Sequence, residues 1–137
     1  MAEYEEPHHL IVITSKIEEI RKAVDEVKTF LKKKGYKGKK YQRLIGALYE
    51  AMSNAVTHGN REDEKKKVLI TYSDEEDKFW IKVNDEGEGF DPTSLSNPCS
   101  LENMTKPRGR GIFIIKNFVD EVSFNEKGNE IMMSIKK

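Results

Sequence analysis

Cysteine is almost missing. Cys99 is alone among 137 residues, so no internal disulfide can form. Long apolar runs are missing too: the longest, Leu10–Ile13 and Ile112–Ile115, have four residues each, where a helical membrane span needs about 20. Neither sign of charge prevails. Lys and Arg number 24 and Asp and Glu number 24, for a formal net charge of zero. General nucleic-acid binding, which shows as a clear basic excess, is thereby disfavoured. The N-terminus carries Glu3, Glu5 and Glu6 where a secretory signal needs positive charge and an apolar stretch. These absences set the expectation of a cytoplasmic protein with no direct nucleic-acid or membrane contact. What is present is a charged surface around a modest core, 36% hydrophobic and 35% charged, at a length that fits one domain over residues 1–137.

Periodicity orders the elements. Leu10–Ile13 reads as a strand ending at Thr14-Ser15. Ser15 with Glu18 three residues on has the form of a capping box, and Ile17, Ile20, Val24, Val27 and Leu31 follow at helical spacing as far as Lys34-Gly35. A second helix is expected from Tyr41 to about His58, ending at Gly59-Asn60. Val68–Ser73 and Lys78–Asn84 are rich in β-branched and aromatic residues and flank a polar turn, so they read as a hairpin. Asp85–Arg110, with its Gly, Pro, Ser and Asn, reads as a functional loop or lid. A helix over Gly111–Val119 and a hairpin, Glu121–Asn125 with Glu130–Ile135, close the chain. The order β-α-α-β-β-lid-α-β-β predicts an α+β, two-layer sandwich with helices on one face of a mostly antiparallel sheet.

Three segments carry chemistry. On a helical wheel Leu44, Ala47, Leu48, Ala51, Met52 and Ala55 share an apolar arc, and Glu50, Asn54 and His58 form one row beside it. Such a row can face a polyphosphate and its metal: Asn offers a neutral oxygen to Mg²⁺, and Glu can take a proton from a hydroxyl. It reads equally as the polar flank of an amphipathic helix. Asp85-Glu86-Gly87-Glu88-Gly89 follows a strand. A carboxylate there can accept from the exocyclic amine of adenine, and the glycines allow close backbone approach, although an ordinary acidic turn looks the same. Arg108-Gly109-Arg110-Gly111 precedes an apolar helical run. Exposed N–H groups at a helix start, with two arginines, suit an anion, or are simply a glycine-rich helix N-terminus. Elsewhere, Cys99 has no metal pattern around it, His8 and His9 read as solvated, and Trp80 reads as packing. Lys32, Lys33, Lys34, Lys37, Lys39 and Lys40 form a basic face that is solvated or meets an acidic partner.

In combination and in this order, the segments resemble the GHKL superfamily of ATP-binding domains with the Bergerat fold. The chain is most similar to the stand-alone bacterial anti-sigma factor serine/threonine kinases. Glu50-x-x-x-Asn54-Ala55-x-x-His58-Gly59 resembles their N box, Asp85-x-Gly87-x-Gly89-Phe90-Asp91 the adenine box, and Arg108-Gly109-Arg110-Gly111-Ile112 the second glycine box. The resemblance runs from about Leu10 to Ile135. It implies that Asn54 binds Mg²⁺ and that Glu50 is the general base or orients the acceptor hydroxyl. Asp85 would bond the adenine amino group, Gly87 and Gly89 would shape its pocket, and Gly109 and Gly111 would hold phosphates. Where relatives often carry Thr after the Gly of the last hairpin, this sequence has Asn129-Glu130 after Gly128.

The function so implied is transfer of the ATP γ-phosphoryl group to a STAS-domain anti-anti-sigma protein, together with sequestration of a sigma factor, in a possible homodimer. The alternative is a binding module that uses nucleotide to hold a partner without transfer; Glu50 favours the enzyme, since a module needs no base. A detached histidine-kinase domain is disfavoured because only about 15 residues precede the first helix, too few for a dimerising hairpin. A gyrase-like ATPase is disfavoured because no second domain is expected.

Overall fold

Period-two alternation and register together decide which side chains face inward. In a computed structural model, which describes residues 8–89 and 107–137 (107–110 as backbone only), the chain forms β1 (His9–Thr14), α1 (Ile17–Lys33), α2 (Gly38–Asn54), a π-helical turn (Ala55–Gly59), β2 (Lys67–Asp74), β3 (Lys78–Asp85), α3 (Pro107–Phe118), β4 (Glu121–Phe124) and β5 (Glu130–Lys136). Of the expected loop or lid over Asp85–Arg110, residues 90–106, Cys99 among them, lie outside the described residues. The strands make one antiparallel sheet in the order β1-β2-β3-β5-β4. Ile11, Ile70, Val83 and Ile131 stand in register across four strands, and Tyr72, Ile81 and Met133 form a second row. Both rows are buried with Ile20, Val24, Val27 and Leu31 of α1 and Leu44, Leu48 and Met52 of α2. The helices therefore cover one face of the sheet, as the α+β, two-layer reading expects. Among the described residues no helix is long and apolar enough to cross a membrane.

Several local expectations are corrected. The capping box does not form: α1 is preceded by Lys16 with no side-chain cap, because tertiary bonds claim Ser15. Its hydroxyl donates to the Lys66 carbonyl at 2.7 Å and accepts from Asn60 Nδ2 at 2.9 Å. Ile17 has the phase of the apolar stripe but remains 49% exposed, bordering an open depression with Lys16, Glu62 and Glu64. Helix α2 begins at Gly38, three residues before the apolar periodicity does. Helix α3 begins at Pro107 rather than Gly111, consistent with the tolerance of proline in a first helical turn. His9, although exposed, stacks on Tyr72 at 5.0 Å between centroids, and His8 meets the edge of Trp80 at 4.9 Å. Trp80 is buried, as packing requires, and donates from Nε1 to Glu75 at 2.9 Å.

The far edge of the sheet is tied down by Asp120, just before β4. Its Oδ2 accepts the Lys136 N–H at 2.6 Å and pairs with Lys40 at 3.1 Å. The main-chain N–H, with Lys40 assisting, holds this carboxyl below its ordinary value. A depressed folded pKa contributes stability above the unfolded value of about 3.9, lost as pH falls through the folded value. Asp120→Asn should therefore flatten the acid side of a melting-temperature series below about pH 4; an unaltered slope would mean that the pair contributes nothing to acid stability.

Candidate functional site

The apolar arc of α2 is buried as the wheel requires: Leu44, Ala47, Leu48 and Met52 are fully enclosed, and Ala51 and Ala55 nearly so. This turns the row beside it, beginning with Glu50 and Asn54, toward the start of α3. The row does not continue to His58. Beyond Asn54 the helix widens into the π turn, where bonds run to the fifth residue and a step of four no longer completes a turn. His58 instead lines a separate polar depression with Gly59, Arg61, Lys66, Glu88 and Gly89. After the π turn Arg61 and Glu62 take left-handed backbone angles, φ 51 and 57, a conformation uncommon outside glycine.

A cleft lies between the end of α2, the end of β3 and the last hairpin. It is open to solvent and is walled by Ala51, Ala55, Val83, Ile112, Phe124 and Ile131, with Asn54, Asp85, Asn129 and Glu130 as polar lining residues. A mostly apolar cleft with a few placed polar groups is the usual form of a small-molecule site. Asp85 occupies a core-facing position in step with Ile81 and Val83 and is 7% exposed. A buried carboxylate is costly unless donors meet it; the Gly87 N–H meets its Oδ1 at 2.8 Å. Two glycines permit this arrangement. A Cβ on Gly59 would overlap the Asp85 carboxylate, and one on Gly87 would overlap the Gly59 carbonyl.

Gly111 brings α3 against the row on α2. A Cβ there would lie 2.9 Å from Asn54 Nδ2 and 3.2 Å from Glu50 Oε2. Glu50, Asn54 and the first turns of α3 are thus assembled at one place. Arg108, Gly109 and Arg110 fall in the first turn of α3 by backbone position, and the roles expected of their side chains lie outside the described residues. Gly89, at φ 80, packs against the carbonyl of Lys127. Among the described residues no group of three or more His, Cys, Asp or Glu is placed to hold a metal. The donor set fits an ion that takes one Asn oxygen and completes its shell with water and phosphate oxygens, as Mg²⁺ does. The space left by the missing Cβ of Gly111 lies beside that Asn54 amide.

Sequence reasoning passed over Asn60, treating it only as a helix end. It is 1% exposed. Its Nδ2 donates to Ser15 Oγ and to the Lys67 carbonyl, each at 2.9 Å, and its Oδ1 accepts the Glu86 N–H at 2.8 Å. One side chain thereby joins the end of the π turn to the residue after β1, to β2 and to the residue after Asp85. Asn60→Ala is expected to lower unfolding free energy by about 2–3 kcal/mol in urea titration, because it strands buried donors and acceptors; a loss below about 0.5 kcal/mol, the usual scatter for a surface change, would contradict this role.

A family model for the histidine kinase-like ATPase domain matches residues 13–135. The chain is similar to serine-protein kinase RsbW of Oceanobacillus iheyensis, 30% identical over 107 residues that cover 73% of this chain and 68% of that one. It is also similar to RsbW of Bacillus subtilis, 29% identical with 73% and 67% covered, and to the anti-sigma F factor of the same organism, 34% identical with 62% of each covered. In fold it matches the solved structure of the RsbU and RsbW domains of Rv1364c from Mycobacterium tuberculosis. The TM-score is 0.65 at 16% identity, over 96% of this chain and 32% of that longer one.

Proposed function

This chain belongs to the histidine kinase-like ATPase domain family, and from that premise we propose that it is an ATP-dependent protein serine/threonine kinase of the anti-sigma type. Its acceptor is a serine or threonine of a STAS-domain antagonist, and its second partner is a sigma factor that it sequesters. The names of its relatives, serine-protein kinase RsbW and anti-sigma F factor, support both halves of this reading. The observation that supports it is the buried Asp85 lining the same cleft as Asn54, which with Glu50 lies against Gly111 of α3.

In this reading the base lies between the apolar walls, and Asp85 accepts from its exocyclic amine. Asn54 gives its amide oxygen to Mg²⁺, which supplies charge neutralisation to the phosphates. The first turn of α3 presents main-chain N–H groups to the same phosphates. Glu50 faces the acceptor. As the acceptor oxygen bonds to the γ-phosphorus and the bond to the ADP oxygen breaks, Glu50 takes the hydroxyl proton or holds that hydroxyl in line. A carboxylate cannot donate a hydrogen bond to a base that presents a carbonyl at the same place.

Adenine is therefore preferred over guanine, and calorimetric titration with ATP and GTP tests it. Asp85→Asn should weaken ATP binding by roughly 10- to 150-fold, the equivalent of about 1.5–3 kcal/mol for a hydrogen bond to a charged group. Equal affinity of the wild type for ATP and GTP would overturn the assignment of Asp85.

A further inference from the structure

The loop of the last hairpin, Asn125–Asn129, is organised around one side-chain oxygen. Asn125 Oδ1 accepts the main-chain N–H groups of Gly128 at 2.8 Å, Asn129 at 3.0 Å and Glu130 at 3.2 Å. A main-chain N–H can only donate, so these three bonds fix which end of the Asn125 amide faces the loop. The other end, Nδ2, donates to Asn129 Oδ1 at 2.6 Å. With its oxygen so engaged, the Asn129 amide is fixed in turn, and its Nδ2 donates to the main-chain carbonyl of Asp85 at 3.0 Å. The Asp85 N–H returns a bond to the Asn129 carbonyl at 2.9 Å. Asp85 is thereby held on both sides of its Cα, one residue beyond the last pair of the β3–β5 ladder, Asn84 with Glu130, while Val68 of β2 pairs with it on the other side.

We infer that Asn129 is a positioning residue that sets base specificity, passing the fixed geometry of the Asn125–Asn129 loop to the Asp85 carboxylate. The inference rests on the nucleotide reading above. Asp85 is also paired with Val68 of β2, and Asn60 holds the Glu86 N–H at 2.8 Å; on the hairpin side its main chain is held by Asn129, and hydrogen-bond strength falls steeply as alignment is lost. The choice between a base offering an amine and one offering a carbonyl depends on that alignment. Phosphate contacts made from α2 and α3 do not pass through the hairpin. Loosening the relay therefore degrades the choice of base and leaves the hold on the polyphosphate intact. A hairpin bond that was merely structural would change melting temperature without changing base preference.

The test uses Asn129→Asp, Asn129→Ala and Asn125→Ala. The first is nearly isosteric and keeps the acceptor for Asn125, but it turns an oxygen toward the Asp85 carbonyl. The second removes the bond, and the third frees the Asn129 amide to flip. Thermal melts identify the variants that are folded at the assay temperature, and calorimetry then measures ATP, GTP and inorganic tripolyphosphate. The expected result for the Asn129 variants is an ATP affinity lower by about tenfold and a preference for ATP over GTP reduced by a similar factor, as loss of one well-aligned bond implies. Tripolyphosphate binding should stay unchanged, and Asn125→Ala should move the preference in the same direction. A folded Asn129 variant with wild-type base preference, or an equal loss for tripolyphosphate, would overturn the inference. Asp85→Asn in the same series separates the two levels: if it too keeps the wild-type preference, the nucleotide reading itself fails. If it loses the preference while the Asn129 variants keep it, only the role of Asn129 falls.

Discussion

Glu50→Gln is expected to lower phosphoryl transfer by roughly 10²–10⁴-fold, the range for a removed general base, with little change in ATP affinity. Glutamine keeps the size and the acceptor oxygen of glutamate and gives up only the capacity to take a proton. Glu50 is half-buried beside the start of α3, one turn before Asn54 on α2. The two positions should therefore respond differently. Asn54→Ala removes the amide oxygen assigned to Mg²⁺ and weakens binding of the Mg–nucleotide itself, whereas Glu50→Gln leaves binding nearly intact. Radiolabelled transfer run beside nucleotide titration reads both. A loss at the low end of the range would mean that Glu50 orients the acceptor, since in-line phosphoryl transfer relies mostly on positioning and electrostatics. Unchanged transfer would refute any role for Glu50 in the chemical step.

Gly87→Ala is the second large effect. Its Cβ would enter the Gly59 carbonyl and approach Asp85 Oδ1 to 2.9 Å. The obstacle is main chain on the facing segment, so no side-chain rotation relieves it. The segments must separate, and Asp85 moves with them. The expected outcome is a stability loss of about 1–3 kcal/mol, the range for overpacking. ATP affinity should also fall by about 10- to 100-fold as the Asp85 bond is lost. Urea titration and calorimetry check the two parts. Wild-type ATP affinity in Gly87→Ala would show that the Gly59–Gly87 contact does not set the position of Asp85.

The sequence made the sheet and its helical layer legible because both periods were clean. Ile20, Val24, Val27 and Leu31 on α1, and the arc from Leu44 to Ala55 on α2, are buried as spacing alone required. Glu50, Asn54, Asp85 and Gly111 stood out as candidates because they stand in motifs, and the fold brings Glu50, Asn54 and Gly111 into one corner and places Asp85 in the same cleft as Asn54. What escaped was whatever depends on contacts distant in sequence. Ser15 looked like a helix cap, but Asn60 and Lys66, 45 and 51 residues away, decide its bonds. Asn60 and Asn125 carry no periodic or motif signal, and Asn129 stood out only as a departure from the pattern of relatives. The displacement of His58 from the row could not be read either, since a π turn has no sequence signature comparable to heptads or caps.

The most direct measurement is transfer of label from γ-radiolabelled ATP, with Mg²⁺, to a STAS-domain protein from the same cell. The account predicts label on one serine or threonine of that acceptor, no label when that residue is changed to alanine, and none with Glu50→Gln over the same period. Saturating ATP binding with no label on any such acceptor would contradict the kinase assignment and leave a module that binds nucleotide to hold its partner.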